Sequence, residues 1–233
     1  TRRFLEMKEK RQSSVLMDPQ GEILRAKTLK LYTRRLSPLL RPKALGSAGG
    51  RVALLADGGR QESEVFASVL EKGGYDVRLV DCSYPDEVSL AAVAELQPRG
   101  IVLAYTLHWQ SSWREGSYGD FHRDLMEQYY PLFRLAGQSA SLESEHPFLL
   151  ALVRYEAPFQ AFFTGALKCL RLECPRLNAK TLVFHGKSSA VDMARHVLEE
   201  SLLPGASRVC REVHFRGGTA LRPELFEVEQ EEP

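Results

Sequence analysis

The sequence predicts an α/β fold, a doubly wound parallel sheet with extended strands flanking it, and three observations carry that prediction. Short apolar runs (RVALLAD, YDVRLVD, GIVLAYTL, HPFLLALVRY and AKTLVFH) recur along the chain, as in strands buried on both faces of a parallel sheet. Amphipathic helical segments separate them through short connections, the order that produces right-handed crossovers onto one sheet. Glycine and proline fall where those helices must stop.

The elements follow in order. VLMD and EILRA flank Asp18-Pro19-Gln20-Gly21, a turn tetrapeptide, and read as a strand pair; LKLYTRRL is a further extended run. Residues 1–37 are thus a strand-rich leading segment, and residues 38–50, rich in proline, glycine and small side chains, are a linker. The α/β region occupies residues 51–227. After RVALLAD, residues 60–72 place Val65, Phe66, Val69 and Leu70 on one helical face, and Gly73-Gly74 ends the helix. YDVRLVD is the second strand, Pro85 to Leu96 the second helix, and GIVLAYTL the third strand. A polar, aromatic loop, HWQSSWREGSYG, leads to Asp120, which caps a helix carrying Phe121, Leu125, Tyr129, Leu132 and Phe133. HPFLLALVRY follows as a strand. Pro158 opens a helix with Phe162, Phe163, Ala166, Leu167 and Leu170 inward, Pro175 closes it, and AKTLVFH is the next strand. A helix over residues 190–203 precedes a hairpin, VCREVHF and ALRPELF, turned at Gly217-Gly218, and residues 228–233 form an acidic tail.

Composition narrows the function classes. Of the 233 residues, 44% are hydrophobic and 26% charged, the balance of a folded globular chain. Lysine plus arginine (31) nearly equals aspartate plus glutamate (30), so no net field draws the chain to nucleic acid or to a membrane. The run from Pro147 to Val153 is far shorter than the roughly 20 residues of a spanning helix. The opening TRRFLEMKEKR lacks the apolar stretch of a signal peptide, and a cytoplasmic location is expected. The four cysteines, Cys82, Cys169, Cys174 and Cys210, have no CxxC spacing and read as buried, reduced thiols.

A doubly wound sheet raises the question of a nucleotide. Dinucleotide-binding loops use three glycines so that backbone amides reach the pyrophosphate. Here the loop reads Asp57-Gly58-Gly59-Arg60-Gln61-Glu62-Ser63-Glu64, with one glycine pair and two glutamates in the first helical turn, where they oppose a phosphate. Asp81 ends the second strand where a ribose-binding acid sits in such folds, and without the glycine loop it reads as a solvated strand-end acid. Reductases of this fold protonate through a tyrosine with a lysine four residues on. None of the eight tyrosines has one: the residues at that spacing are Leu36, Leu79, Val88, Trp109, His122, Phe133, Arg134 and Phe159. The six histidines are scattered and no metal or serine-nucleophile motif is present, so His185 and His214 read as structural. Trp109 and Trp113, with Tyr118, roof the sheet or form a contact surface. No catalytic, cofactor-binding or metal-binding residue is assigned.

The stretch GALKCLRLECPRLNAKTLVFHGKSSAVDMARHVLEESL, preceded by RVALLADGG, YDVRLVD and GIVLAYTLH and followed by REVHFRGGTALRPEL, resembles the structural subdomain of modular polyketide-synthase ketoreductases and the related pseudo-ketoreductase regions, over roughly residues 28–227. The resemblance implies a truncated Rossmann-like, short-chain-dehydrogenase-like fold that packs against a separate catalytic ketoreductase half, which binds NADPH and carries the Ser, Tyr and Lys. It implies a scaffold without activity or cofactor of its own, inside a multifunctional polyketide synthase of the kind used in antibiotic biosynthesis. The implied neighbours are a dehydratase, methyltransferase or enoylreductase domain, and the leading strands look like the end of a dehydratase-like domain. Two other readings stay open. One is an eroded NADPH-dependent short-chain reductase. The other is a docking module for an acyl carrier protein or methyltransferase domain, with Arg34, Arg35, Arg41 and Lys43 as a basic strip. A scaffold holds its partner through apolar area removed from water, and the side chains expected to provide it are Phe148, Tyr155, Phe159, Phe162 and Phe163.

Overall fold

The runs that the sequence marks as buried strands become one sheet in the computed structural model, which describes residues 32–39, 48–83, 85–108, 119, 130–131, 133–135, 137, 147–155, 160–203 and 212–227. The elements are β1 (Tyr32–Pro38), β2 (Arg51–Ala56), α1 (Gln61–Lys72), β3 (Asp76–Asp81), α2 (Glu87–Leu96), β4 (Gly100–Leu103), β5 (Phe148–Arg154), α3 (Gln160–Glu173), β6 (Asn178–Phe184), α4 (Ala190–Ser201), β7 (Glu212–Arg216) and β8 (Thr219–Glu227). The sheet order is β1-β8-β7-β6-β5-β4-β2-β3. Pairings from β3 through β7 are parallel, and β7 with β8 is antiparallel. The chain divides into a large unit, Leu36–Glu224, and a small one, Thr1–Arg35 with Leu225–Pro233. Of the small unit the structure describes only residues 32–35 and 225–227, the ends of β1 and β8.

Strand order reverses between β2 and β4: the chain runs outward from β2 to β3, then crosses back to start β4 on the other side. Among the described residues β3 is the last strand on this side of the sheet. Its edge is blunted by charge, with Arg51 and Arg78 both ion-paired to Asp76, as exposed edges require.

Side-chain alternation splits the interior into two cores. Ala53, Leu55, Ile101, Leu103, Leu149, Ala151, Val153 and Val183 face α2 and α3. Val52, Leu54, Val102, Leu150, Leu152, Leu182, Val213 and Phe215 face α1 and α4. Helix ends match their sequence signals: Asp86 accepts from Ser89 N–H at 2.8 Å to cap α2, and Ser189 from Asp192 N–H at 3.1 Å to cap α4. Hydrogen bonding to Ser89 also lowers the Asp86 carboxyl below its usual range. The closing hairpin turns at Gly217 and Gly218, both at positive φ (56° and 78°), as its tight connection demands. The extended run before the linker joins this end of the sheet, where Leu39 N–H donates to Ala220 O at 3.0 Å.

Some expectations need correcting. The third strand stops at Leu103, and Tyr105–Leu107 is a 3-10 turn, because the Thr106 hydroxyl lies 2.7 Å from Leu103 O and 2.5 Å from Leu152 O and draws the chain over the strand ends. Cys169 is exposed on α3 and Cys174 half-buried, so only Cys82 fits the buried-thiol reading among the described cysteines; burial pushes its thiol up to about 12. Phe148 and Phe163 are core residues, 0% and 1% exposed, and not interface. Phe148 lies across Gly100, where an added Cβ would fall inside its ring, and packs edge-on against Tyr75. The hairpin over residues 15–26, the loop with Trp109, Trp113 and Tyr118, the cap Asp120 and the opener Pro158 lie outside the described residues. No helix among the described residues is long and apolar enough to cross a membrane.

A Lys–Glu pair lies buried between sheet and helix. Lys180 of β6 and Glu200 of α4, 1% and 0% exposed, pair at 2.8 Å. Asn178 Nδ2 donates to Glu200 O and Leu203 O, satisfying carbonyls at the end of α4. Removing one partner strands a buried charge. Lys180→Met is expected to cost about 3–5 kcal/mol, and Lys180→Met with Glu200→Leu should recover most of it, as read by urea unfolding. Gly100→Ala should cost at least about 1–3 kcal/mol by overpacking in the same measurement. Thiol alkylation followed by mass spectrometry at pH 8 should label Cys169 rapidly and Cys82 only on unfolding.

Candidate functional site

In an open α/β sheet, ligands bind outside the carboxyl ends of the strands, at the point where strand order reverses. Here that point lies between β2 and β4, and a cleft of ≈ 210 Å³, open solvent included, occurs there. Asp57, Arg60, Glu62, Ser63 and Phe66 line it from the β2–α1 connection and α1, and Leu107 and His108 from the segment after β4. Drug-sized ligand sites span roughly 300–1,000 Å³, so this cleft is small even before its charges are counted.

The residues in it bond to one another. The Asp57–Arg60 turn closes through Arg60 N–H to Asp57 O at 3.1 Å, and Ser63 Oγ donates to the same oxygen at 2.6 Å. Gly59 N–H donates to Asp57 Oδ1 at 3.1 Å, and Arg60 Nε to Asp57 Oδ2 at 3.0 Å. Gly58 N–H donates to Asp81 Oδ1 at 2.7 Å. A Cβ added at Gly58 would lie 2.9 Å from Asp81 Cγ, so a larger residue here would displace the Asp81 carboxylate. The amides of Gly58, Gly59 and Arg60, the groups that address a phosphate in this position of the fold, are therefore all committed to the protein's own oxygens. Across the cleft, Glu62 Oε2 lies 2.5 Å from His108 Nε2, and Glu62 Oε1 lies 4.0 Å from an Arg154 guanidinium nitrogen. These residues do not fit a dinucleotide pyrophosphate: the amides are taken, and Asp57, Asp81 and Glu62 place carboxylates around the approach.

Asp81 differs from its sequence reading. Exposed as it is, it is not merely solvated but locks the β2–α1 turn to the end of β3. Sequence marked Glu62 only as a carboxylate opposing a phosphate and did not mark His108 or Arg154, because Glu62 and His108 stand 46 residues apart and meet only once the sheet forms.

A second polar cluster lies where β7 meets α3 and the end of β6. Strand alternation turns Val213 and Phe215 toward α1 and α4, and Glu212 and His214 toward α3, whose Lys168 Nζ lies 3.7 Å from Glu212 Oε2. Glu212 Oε1 is 2.8 Å from His214 Nε2, His214 Nδ1 is 2.8 Å from His185 Nε2, and the Tyr155 ring stacks on His185 at 4.1 Å. The two histidines read as structural thus form one chain from a buried carboxylate to an aromatic ring that is 52% exposed. The Glu-x-His spacing in a strand was the only sequence signal for it.

Of the side chains expected at an interface, Tyr155 is exposed; Phe162 is half-buried, edge-on to Phe163 at 5.2 Å and packed on the α2/α3 core; Phe159 lies outside the described residues. No group of three or more His, Cys, Asp or Glu side chains among the described residues is arranged to hold a metal ion.

The sequence matches no family model and no curated protein. Solved structures match in fold. A C2-type ketoreductase from a modular polyketide synthase superposes with a TM-score of 0.60 at 16% identity, over 85% of this chain and 44% of that one. A multidomain structure of adenylation, ketoreductase and pseudo-Asub domains from a keto acid-selecting NRPS module gives 0.60 at 12% identity, over 96% of this chain and 21% of that one. A short-chain dehydrogenase/reductase from Serratia marcescens gives 0.55 at 12%, over 72% of this chain and 96% of that one. The fold is therefore Rossmann-like, of the ketoreductase and short-chain dehydrogenase type, and the chain spans less than half the length of the first two structures. Within the site, Gly58→Ala is expected to push Asp81 off the Gly58 amide and destabilise the chain by about 1–3 kcal/mol, measurable as a lowered midpoint in chemical denaturation.

Proposed function

We propose that this chain is the non-catalytic, structural half of a polyketide-synthase ketoreductase, a scaffold that steadies a catalytic half and holds neighbouring domains in register. The observation that carries the reading is the self-satisfied crevice: at the strand-order reversal, Gly58, Gly59 and Arg60 spend their amides on Asp81 and Asp57, and Glu62 is held by His108. The absence of any tyrosine with a lysine four residues on supports it from the sequence side. So does the likeness in fold to ketoreductases of polyketide-synthase and NRPS modules, over less than half of their length. On this reading the cofactor and the proton-donating tyrosine belong to the catalytic half, and the present chain contributes packing area. Tyr155 and Phe162, with Phe159, remain the side chains proposed to face a partner, Phe148 and Phe163 having gone into the core.

Two measurements test the proposal together. Titration of the chain with NADPH, followed by cofactor fluorescence and calorimetry, should show no binding at micromolar concentrations. Supplying a ketoreductase catalytic half as a separate polypeptide should give a complex and a rise in reduction of a β-ketoacyl thioester over the catalytic half alone. A low-micromolar NADPH affinity of the isolated chain would overturn the reading in favour of an eroded reductase.

A further inference from the structure

The chain enters β2 through Gly46-Ser47-Ala48-Gly49-Gly50, whose composition is that of a flexible hinge. Its last three residues are nevertheless held. Gly49 O accepts from Arg99 Nη1 at 2.8 Å, across 50 residues of sequence. Gly50 O accepts from Asp76 N–H at 3.0 Å, where β3 begins. Ala48 packs against the core on the α1/α4 side.

Arg99 reaches this point from the turn between α2 and β4, and its surroundings fix it there. Its guanidinium lies 5.9 Å from the centroid of the Tyr75 ring, within cation–π range. That ring is buried, and its hydroxyl bonds to Ser201 Oγ at 3.0 Å, which ties the platform to α4. The Arg99 stem runs beside Gly50, where an added Cβ would lie 3.3 Å from both Cβ and Cδ of Arg99. Gly50 itself sits at φ 83°, a conformation that favours glycine. Arg99 O accepts from Phe148 N–H at 3.3 Å, so the main chain carrying the side chain is joined to the sheet as well. The same two glycines that make the sequence read as a hinge let Arg99 close over it. A hydrogen bond from a permanently charged donor is roughly twice as strong as a neutral one.

We propose that Arg99 is a clasp that converts this hinge into a fixed exit, so that the segment ahead of Ala48 departs from one point on the amino side of the sheet. That side is opposite the crevice, which lies at the carboxyl ends of the strands. A linker swinging on two glycines transmits no orientation to what precedes it; one held at Gly49 and Gly50 does. A scaffold that keeps neighbours in register needs such an exit, so the clasp serves the scaffold reading, while its chemistry stands without it.

The test uses the full chain with a nitroxide label at Gly49→Cys, a position where a side chain meets nothing within 4 Å. Cys169, Cys174 and Cys210 are changed to Ser so that the label attaches there, and buried Cys82 is kept. The electron paramagnetic resonance line should be that of an immobilised label. Arg99→Ala should give the narrow line of a mobile one, and should speed hydrogen exchange of the Asp76 amide, whose acceptor is Gly50 O, by roughly tenfold or more. The Leu150 amide, in the central strand β5, should keep its protection. Gly50→Ala, which strains the backbone and crowds Arg99 from the other side, should release the label in the same way. A label already mobile with Arg99 in place, or one that stays immobilised in folded Arg99→Ala, overturns the proposal because nothing is being clasped. Loss of protection at Leu150 in step with Asp76 in both variants overturns it too, because Arg99 and Gly50 then support the whole sheet. Neither readout involves NADPH or a catalytic half, so failure here leaves the scaffold reading standing.

Discussion

Burial of the central strands on both faces is the constraint on which the rest of this structure depends. β2, β4, β5 and β6 are almost wholly inaccessible, so their backbone groups must be satisfied in the parallel ladder, and charge is admitted only where it is matched. Lys180 with Glu200 is the one fully buried Lys–Glu pair among the described residues, and it ties β6 to the far end of α4. Glu212, at the start of β7, is a second buried charge, met by His214 and Lys168. The crevice lies at the carboxyl edge of the sheet, and the second cluster runs from Glu212 at the start of β7 to His185 beyond the end of β6.

At that edge the reversal between β2 and β4 creates a crevice, which is a consequence of topology and not of function. What fills it is decided by the loop after β2. Three free amides at a helix start make an anion site; the same three amides bonded to Asp57 and Asp81 make a closed corner lined with carboxylates. Glu62 and His108 complete the closure by joining α1 to the segment after β4. A fold shared with ketoreductases and short-chain dehydrogenases thus carries, in this chain, a corner built from its own side chains.

Apolar side chains show how burial and interface can be confused from sequence. Phe162 and Phe163 are neighbours on α3, yet a 100° step around the helix sends Phe163 into the core and leaves Phe162 at its margin. Phe148, expected at an interface, is taken into the core because Gly100 on the neighbouring strand makes room for it. A glycine opposite a large aromatic in a parallel pair is a packing arrangement that becomes evident only when register is known.

The sequence by itself determined the local elements: apolar runs marked the parallel strands, helical periodicity marked the inward faces of α1 and α3, and Gly217-Gly218 marked the closing turn, because each depends on contacts within a few residues. It also determined two chemical negatives, the loop without a three-glycine pattern and the tyrosines without a paired lysine. Only the tertiary structure decided the strand order, the bonds from Asp81 to Gly58 and from Glu62 to His108, and the alignment of Glu212, His214 and His185. The physical reason is separation along the chain. These partners stand 23, 46 and 29 residues apart across the Asp81–Gly58, Glu62–His108 and His185–His214 contacts, and no local propensity reports which distant strand ends the sheet will bring to within a hydrogen bond of each other.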